Sequence, residues 1–218
     1  MKKILITLGD SWPQGGELAA TEKPYGRLLE KMLNFDMFYN YGSAGASNED
    51  MLYQLQDFIK NHYSQDCAIT AIMFLTNPAR TFHRPRFMSW DINPSWPADV
   101  QQMLKQAFLH FHEPDHELMR SSATVSTLQY WCQHFNINDF YFAGWVRYPA
   151  WLQGVNTKKI WAEGKETAAD WFAAYAHNGE HLVNVESNPY ITPNFAHPNQ
   201  AGHQLMADKL SLWIDTKQ

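Results

Sequence analysis

The chain has 218 residues and a formal net charge of −5, with 45% of its residues hydrophobic and 18% charged. That is the size of one ordinary domain, with enough apolar material for a core that needs neither disulfides nor metal. The acidic balance and the absence of any Lys/Arg cluster exclude the footprint of a nucleic-acid binder, and two cysteines in unrelated apolar contexts, Cys67 and Cys132, form neither a disulfide framework nor a metal-ligand spacing.

The run Ile4-Leu5-Ile6-Thr7-Leu8, closed by Gly9 and Asp10, reads as a buried strand entering a tight loop that carries Ser11. Behind the basic start Met1-Lys2-Lys3 this run is too short for a signal peptide, and no run could span a bilayer. The expectation is a soluble, cytoplasmic protein. Pro24 suits the first position of a helix whose stripe is Leu28, Leu29, Met32 and Leu33. A short aromatic strand over 36–41 follows, then the loop Gly42-Ser43-Ala44-Gly45-Ala46-Ser47. Ser47 and Asp50 resemble a capping box before a helix that carries Met51, Leu52, Leu55, Phe58 and Ile59.

The continuous apolar run 68–75 predicts a central strand covered on both faces, ending at Thr76-Asn77-Pro78. Residues 80–97 have no periodicity and are rich in Pro, Trp, His and Arg, the pattern of a lid or binding loop. Val100, Met103, Leu104, Ala107, Phe108 and Phe111 predict one helix. A second, from about 115 to 135, turns Leu118, Met119, Leu128, Trp131 and Cys132 inward. Strands are expected at 139–145 and 182–185, a Trp-rich pocket loop at 145–161, and a helix around 166–176. The last helix carries Ala201, Leu205, Met206, Leu210 and Trp213. Strands alternating with helices predict an α/β fold, a three-layer, doubly wound parallel sheet of flavodoxin-like type, in a single domain over residues 1–218.

Four segments carry chemistry: Gly9-Asp10-Ser11 after the first strand, Asn40-Tyr41-Gly42-Ser43-Ala44-Gly45 after the second, Thr76-Asn77 after the third, and Asn194-Phe195-Ala196-His197-Pro198-Asn199 before the last helix. In a doubly wound sheet the loops that follow the strands gather at one edge. In order and content this set resembles the SGNH (GDSL-type) hydrolases, whose four blocks contribute Ser, Gly, Asn and His. The resemblance implies that Ser11 is a nucleophile and His197 the base that takes its proton and later protonates the leaving group. It implies an oxyanion hole built from the Ser11 and Gly45 amides and the Asn77 side chain. The implied activity is that of a serine esterase or acyl hydrolase, working through an acyl-enzyme on a small-molecule ester, thioester or acylated sugar, with no cofactor and no metal.

Two positions depart from that pattern. Asn194 stands where the family has the Asp that orients the histidine and stabilises its cation; Asn can orient but carries no charge. Asp170 and Glu186 are other candidates for the acid. The third block reads Leu75-Thr76-Asn77-Pro78 instead of Gly-x-Asn-Asp. The competing reading is an SGNH-fold binding module with weakened or lost catalysis. A mononucleotide binder is disfavoured because no Gly-x-Gly-x-x-Gly or Walker A pattern occurs, and no Gly-x-Ser-x-Gly elbow points to an α/β-hydrolase.

The remaining polar residues have plainer readings. Asp10 ties loops together through its carboxylate. His203 is structural, hydrogen-bonded on its helix. His110, His112 and His116 are solvated or pocket-lining groups in preference to metal ligands, and Arg80, Arg84 and Arg86 form a lid surface. The Trp-rich loops would favour a carbohydrate or an aromatic acyl group, since flat sugar faces stack on indole.

Overall fold

The computed structural model of the chain describes residues 1–78, 80, 97–99, 101–102, 114–144, 146–148, 151, 154–173, 188–192 and 197–216. Its frame is a four-stranded parallel sheet in the order β2-β1-β3-β4, with β1 over Lys2–Leu8, β2 over Met37–Asn40, β3 over Cys67–Leu75 and β4 over Ile137–Ala143. Among the described residues the α-helices are α1 (Ser11–Gln14), α2 (Tyr25–Met32), α3 (Asp50–His62), α4 (Pro114–His134), α5 (Ala168–Ala173) and α6 (Gln200–Asp215).

The central strands are apolar on both faces because both faces are covered. On one side Ile4, Ile6 and Leu8 of β1 and Ala71, Met73 and Leu75 of β3 pack on Met51, Leu55 and Phe58 of α3 and on Val125, Leu128 and Cys132 of α4. On the other, Leu5, Ile72, Phe74 and Phe142 meet Leu29 of α2, Trp171 of α5, and Met206 and Leu210 of α6. This is the expected three-layer α/β architecture, with β3 interior as its unbroken apolar run requires. Beyond β4, among the described residues, the sheet edge is met by single parallel bridges, Tyr141 to Ile160 and Ala143 to Thr167.

The details refine the sequence reading. Pro24 is the cap of α2, at φ −63 and ψ 156, instead of its first helical residue. β4 begins two residues earlier than expected, directly after Asn136 turns the chain at φ +53, and the buried Asp139 is accommodated by an ion pair with Lys159. Met119 is half exposed, and Ala201 faces solvent. The buried face of α6 runs instead through Gly202, His203, Met206, Ala207, Leu210 and Ile214. Short apolar side chains on a helix carry little phase information, and tertiary packing decides the rotation. Cys67 and Cys132 are free thiols. Among the described residues no helix is long and apolar enough to cross a membrane. The expected helix over 100–111, the strand at 182–185 and nearly all of the loop 80–97 lie outside the described residues.

His203 is structural, though by a longer reach than its own helix. Its Nδ1 accepts the amide of Tyr25, the first residue of α2, at 3.1 Å, and its ring stacks on Tyr25. The side chain of Gln200 accepts the Lys23 amide at 2.7 Å. Two side chains of α6 therefore satisfy N–H groups at the entry to α2, where Pro24 has no side chain to do so. Burial, followed by the nearby His197, pushes the His203 imidazole down from its ordinary 6.5 to about 3. Between those two pH values the unfolded chain binds a proton that the native chain refuses, so stability present above pH 6.5 drains away as pH falls towards 3. Urea-denaturation free energies measured from pH 8 to pH 3.5 are expected to fall by a few kcal/mol in wild type. His203→Gln, which keeps an acceptor for the Tyr25 amide, starts lower at pH 8 and shows a flatter acid slope.

Candidate active site

The first three segments follow the C-terminal ends of β1, β2 and β3, and polar side chains lace them together. Ser11 opens α1 immediately after β1. The Gln54 side chain grips Gly9, two residues before Ser11, at both ends, accepting from Gly9 N at 2.8 Å and donating to Gly9 O at 2.9 Å. Asp10, 1% exposed, accepts from Trp12 N at 3.0 Å through Oδ1. Its Oδ2 accepts from Thr76 Oγ1 at 2.9 Å and pairs with Arg80 Nη1 at 2.6 Å. A single carboxylate thus joins the first loop to the third, as the sequence reading of Asp10 expected. Arg80 is a correction: its side chain is only 18% exposed and turns inward to Asp10, so it is no surface residue of a lid.

The second loop is tied to both. Asn40 donates to Pro13 O at 2.7 Å at the end of α1 and accepts the Gly42 amide at 3.0 Å, while Ser43 N donates to Gly9 O at 3.0 Å. Asn48 accepts from Thr76 N at 2.9 Å and donates to the Tyr148 hydroxyl at 2.8 Å, which in turn donates to Thr76 O at 2.7 Å. Burial pushes the Tyr148 phenol well up, so it stays a neutral donor. At the head of α3, Asp50 accepts both the Ser47 amide (2.8 Å) and hydroxyl (2.9 Å), the reach-back half of the expected capping box.

The last segment is positioned by α6. Asn199 caps the helix, accepting the Gly202 amide at 3.1 Å and donating to Pro189 O at 2.9 Å. An antiparallel bridge between Ile191 and Pro198, with Thr192 N donating to His197 O at 2.7 Å, ties residues 191–192 to residues 197–198 ahead of the helix. His197 is delivered to the head of α1, where its Nε2 lies 2.7 Å from Ser11 Oγ across 186 residues of sequence. The Nδ1 on the other side of the ring stands 3.4 Å from Glu17 Oε2.

The structure therefore brings Ser11 and His197 into hydrogen-bonding contact. Gly45 lies in the loop after β2 at φ +75, a left-handed conformation that favours glycine, and Asn77 follows the clamped Thr76 in the loop after β3. Asn194 and Glu186 fall outside the described residues, as do His110, His112, Arg84 and Arg86. Asp170 is engaged elsewhere: it pairs with Arg147 through two contacts, at 2.7 and 3.2 Å, and caps the head of α5 through Thr167. His116 is exposed on α4. Among the described residues no cluster of His, Cys, Asp or Glu could hold a metal ion.

In the 145–161 segment, Tyr148 is buried under Thr76, Trp151 stacks on Tyr148 at 4.6 Å, and Trp161 packs against Trp171 and Trp213. These indoles are packing groups. A concavity of about 890 Å³ opens at the opposite, N-terminal end of the strands, lined by Lys3, Cys67, Gln133 and Lys159 among others, and neither Ser11 nor His197 lines it. Sequence reasoning missed Gln54, Asn48, Tyr148 and Glu17. Only Glu17 left a local trace, the Gly15-Gly16 pair that turns the chain just after Ser11.

This is the fold of the SGNH, or G-D-S-L, hydrolases. The chain is similar to a lipolytic protein of the G-D-S-L family from Veillonella parvula, with a TM-score of 0.52 at 14% identity over 99% of this chain and 100% of that one. It is similar to a lipase/acylhydrolase from Enterococcus faecalis, with a TM-score of 0.50 at 13% identity over 100% and 97%. A third likeness is to an acetyl xylan esterase from the rumen bacterium Butyrivibrio proteoclasticus, with a TM-score of 0.50 at 12% identity over 99% of this chain and 64% of that one. No protein-family model and no curated protein sequence matches the chain, so the likeness is one of fold.

The clamp at Asp10 makes a test of the site's framework. Asp10→Asn leaves Arg80 facing a neutral amide in a nearly dry setting, and is expected to cost about 2–4 kcal/mol of stability, since breaking a buried charge pair strands its partner. Glu163→Gln, which breaks an exposed pair with Lys165, leaves the thermal midpoint unchanged within error. Calorimetry on the two variants side by side checks both outcomes.

Proposed function

We propose that the chain is a serine esterase that acts in the cytoplasm and cleaves an ester or thioester through a Ser11 acyl-enzyme, with His197 as general base and then general acid. The observation that carries the reading is the 2.7 Å contact between His197 Nε2 and Ser11 Oγ. A hydroxyl is a poor nucleophile until a neighbouring base takes its proton, and an imidazole within hydrogen-bond reach is suited to that near neutral pH. A fold kept only for binding has no need to hold these two side chains together, so the contact favours the hydrolase over the binding module.

In the proposed reaction Ser11 Oγ attacks the acyl carbon as its proton passes to His197 Nε2. The carbonyl oxygen becomes an oxyanion, received by the amides of Ser11 and Gly45 and the side-chain amide of Asn77. Collapse breaks the bond to the alcohol or thiol, which leaves with the proton from His197. Water then attacks the acyl-Ser11 ester, giving its proton to His197; the acyl–Oγ bond breaks, the acid leaves, and His197 returns the proton to Ser11 Oγ. The laced loops support the oxyanion assignment, because donors fixed in advance need no reorganisation when charge develops. A small acyl group such as acetyl is the substrate class we favour. The likeness to a fold relative named as an acetyl xylan esterase supports it. In the described part of the 145–161 loop, Trp151 and Trp161 pack against Tyr148 and Trp171 and add no support for a sugar-stacking role.

Labelling with a fluorophosphonate probe and hydrolysis of p-nitrophenyl acetate test the reading together. Wild type is expected to label, Ser11→Ala to lose all labelling, and Asn77→Ala to lower turnover by about a hundredfold or more. Equal labelling of wild type and Ser11→Ala would remove the hydrolase reading and leave the binding module in its place.

A further inference from the structure

The base of the proposed reaction has a carboxylate behind it, and that carboxylate comes from the nucleophile's own loop. Glu17 Oε2 stands 3.4 Å from His197 Nδ1, an ion-pair distance, while Nε2 on the far side of the ring meets Ser11. The turn after α1 aims it there. Gly15 ends the helix at φ +86, the Gly16 amide donates to Ser11 O at 2.8 Å, and Glu17 itself holds φ +65, a conformation that non-glycine residues seldom adopt. The turn lies directly against the dyad: a Cβ on Gly16 would stand 3.3 Å from both His197 Cδ2 and Ser11 Cβ.

Glu17 is also held from the histidine's side. The Thr192 hydroxyl donates to the same oxygen, Oε2, and the Thr192 amide donates to His197 O at 2.7 Å. One residue therefore links the carboxylate to the backbone of the base. The two side chains are 22% and 19% exposed, so water screens the pair only in part. Asn194, the polar residue three positions before His197, brings no charge.

From this geometry we infer that Glu17 is the positioning carboxylate of His197. The inference rests on the Ser11–His197 hydrolase reading. Glu17 favours the tautomer with its proton on Nδ1, which leaves the Nε2 lone pair facing Ser11 Oγ. When the Ser11 proton moves to Nε2, the resulting imidazolium has the Glu17 carboxylate beside it. Because the charge arrives from the Gly15-Gly16-Glu17 turn, orientation of the base depends on the same loop that presents the nucleophile.

The test compares wild type, Glu17→Gln and Asn194→Ala by ¹⁵N NMR of histidine-labelled protein and by kinetics on p-nitrophenyl acetate. In wild type His197 is expected in the Nδ1-protonated tautomer. Glu17→Gln is expected to lose that preference and to lower kcat by about ten- to a hundredfold with KM within twofold. This is less than the roughly ten-thousandfold loss at a buried triad aspartate, because water reaches the pair. An unchanged tautomer in Glu17→Gln overturns the inference, whether or not kcat falls, and loss of the tautomer in Asn194→Ala alone assigns the orienting role to Asn194. The tautomer is read without turnover. If fluorophosphonate fails to label wild type, the hydrolase reading falls while the NMR comparison still decides what Glu17 does to His197.

Discussion

The site depends on one buried carboxylate. Asp10 is almost completely removed from water, and its two oxygens take three donors from three different places: the Trp12 amide at the head of α1, the Thr76 hydroxyl after β3, and the Arg80 guanidinium beyond it. An ion buried this deeply is tolerable only when its lone pairs are used, and using them here fixes the spacing between the loop that carries Ser11 and the loop that carries Asn77. The Arg120 side chain extends the same arrangement, donating to Pro78 O at 2.6 Å and pairing with Glu49 at the head of α3. Charge is thus spent on loop geometry, beneath the residues that would do chemistry.

The parallel sheet supplies the other half of the constraint. Because β1, β2 and β3 run the same way, their following loops share an edge, and neutral side chains can join them at short range. Asn40 joins Pro13 O to the Gly42 amide, while Gln54 and Asn48 reach from their own segments to the backbone of Gly9 and of Thr76. They work as amides because an amide offers both a donor and acceptors, so one side chain satisfies loop N–H and C=O groups that no ladder reaches. His197 arrives by a separate route, on the bridge-and-cap turn before α6. The same helix places His203 and Gln200 over the entry to α2. Movement of α6 would therefore disturb both His197 and the packing of the layer that carries it.

How much could be read beforehand follows from the physical range of each signal. Strand and helix identity is local: the apolar runs at 4–8 and 68–75 are too short for helices and too continuous for surface strands, so they announced a covered sheet. Ser11 and His197 were legible because each sits in a short motif at a strand or helix end, and four such motifs occur in a consistent order. Met119 and Ala201 were misplaced because several rotations of a mixed helix bury similar apolar area, and the neighbours choose among them. Arg80 looked like surface because nothing in its own segment reveals a carboxylate seventy residues away.

The sequence by itself determined the layering of this protein and the two residues that meet at its centre, because hydrophobic periodicity and turn chemistry act over a few residues at a time. Only the tertiary structure decided what surrounds them. Glu17 lies beside His197 because α1 ends in a left-handed turn and α6 is capped by Asn199, two events separated by nearly the whole chain. A charge interaction has no periodicity and no preferred spacing in sequence; it acts through distance in space, which the packed fold sets.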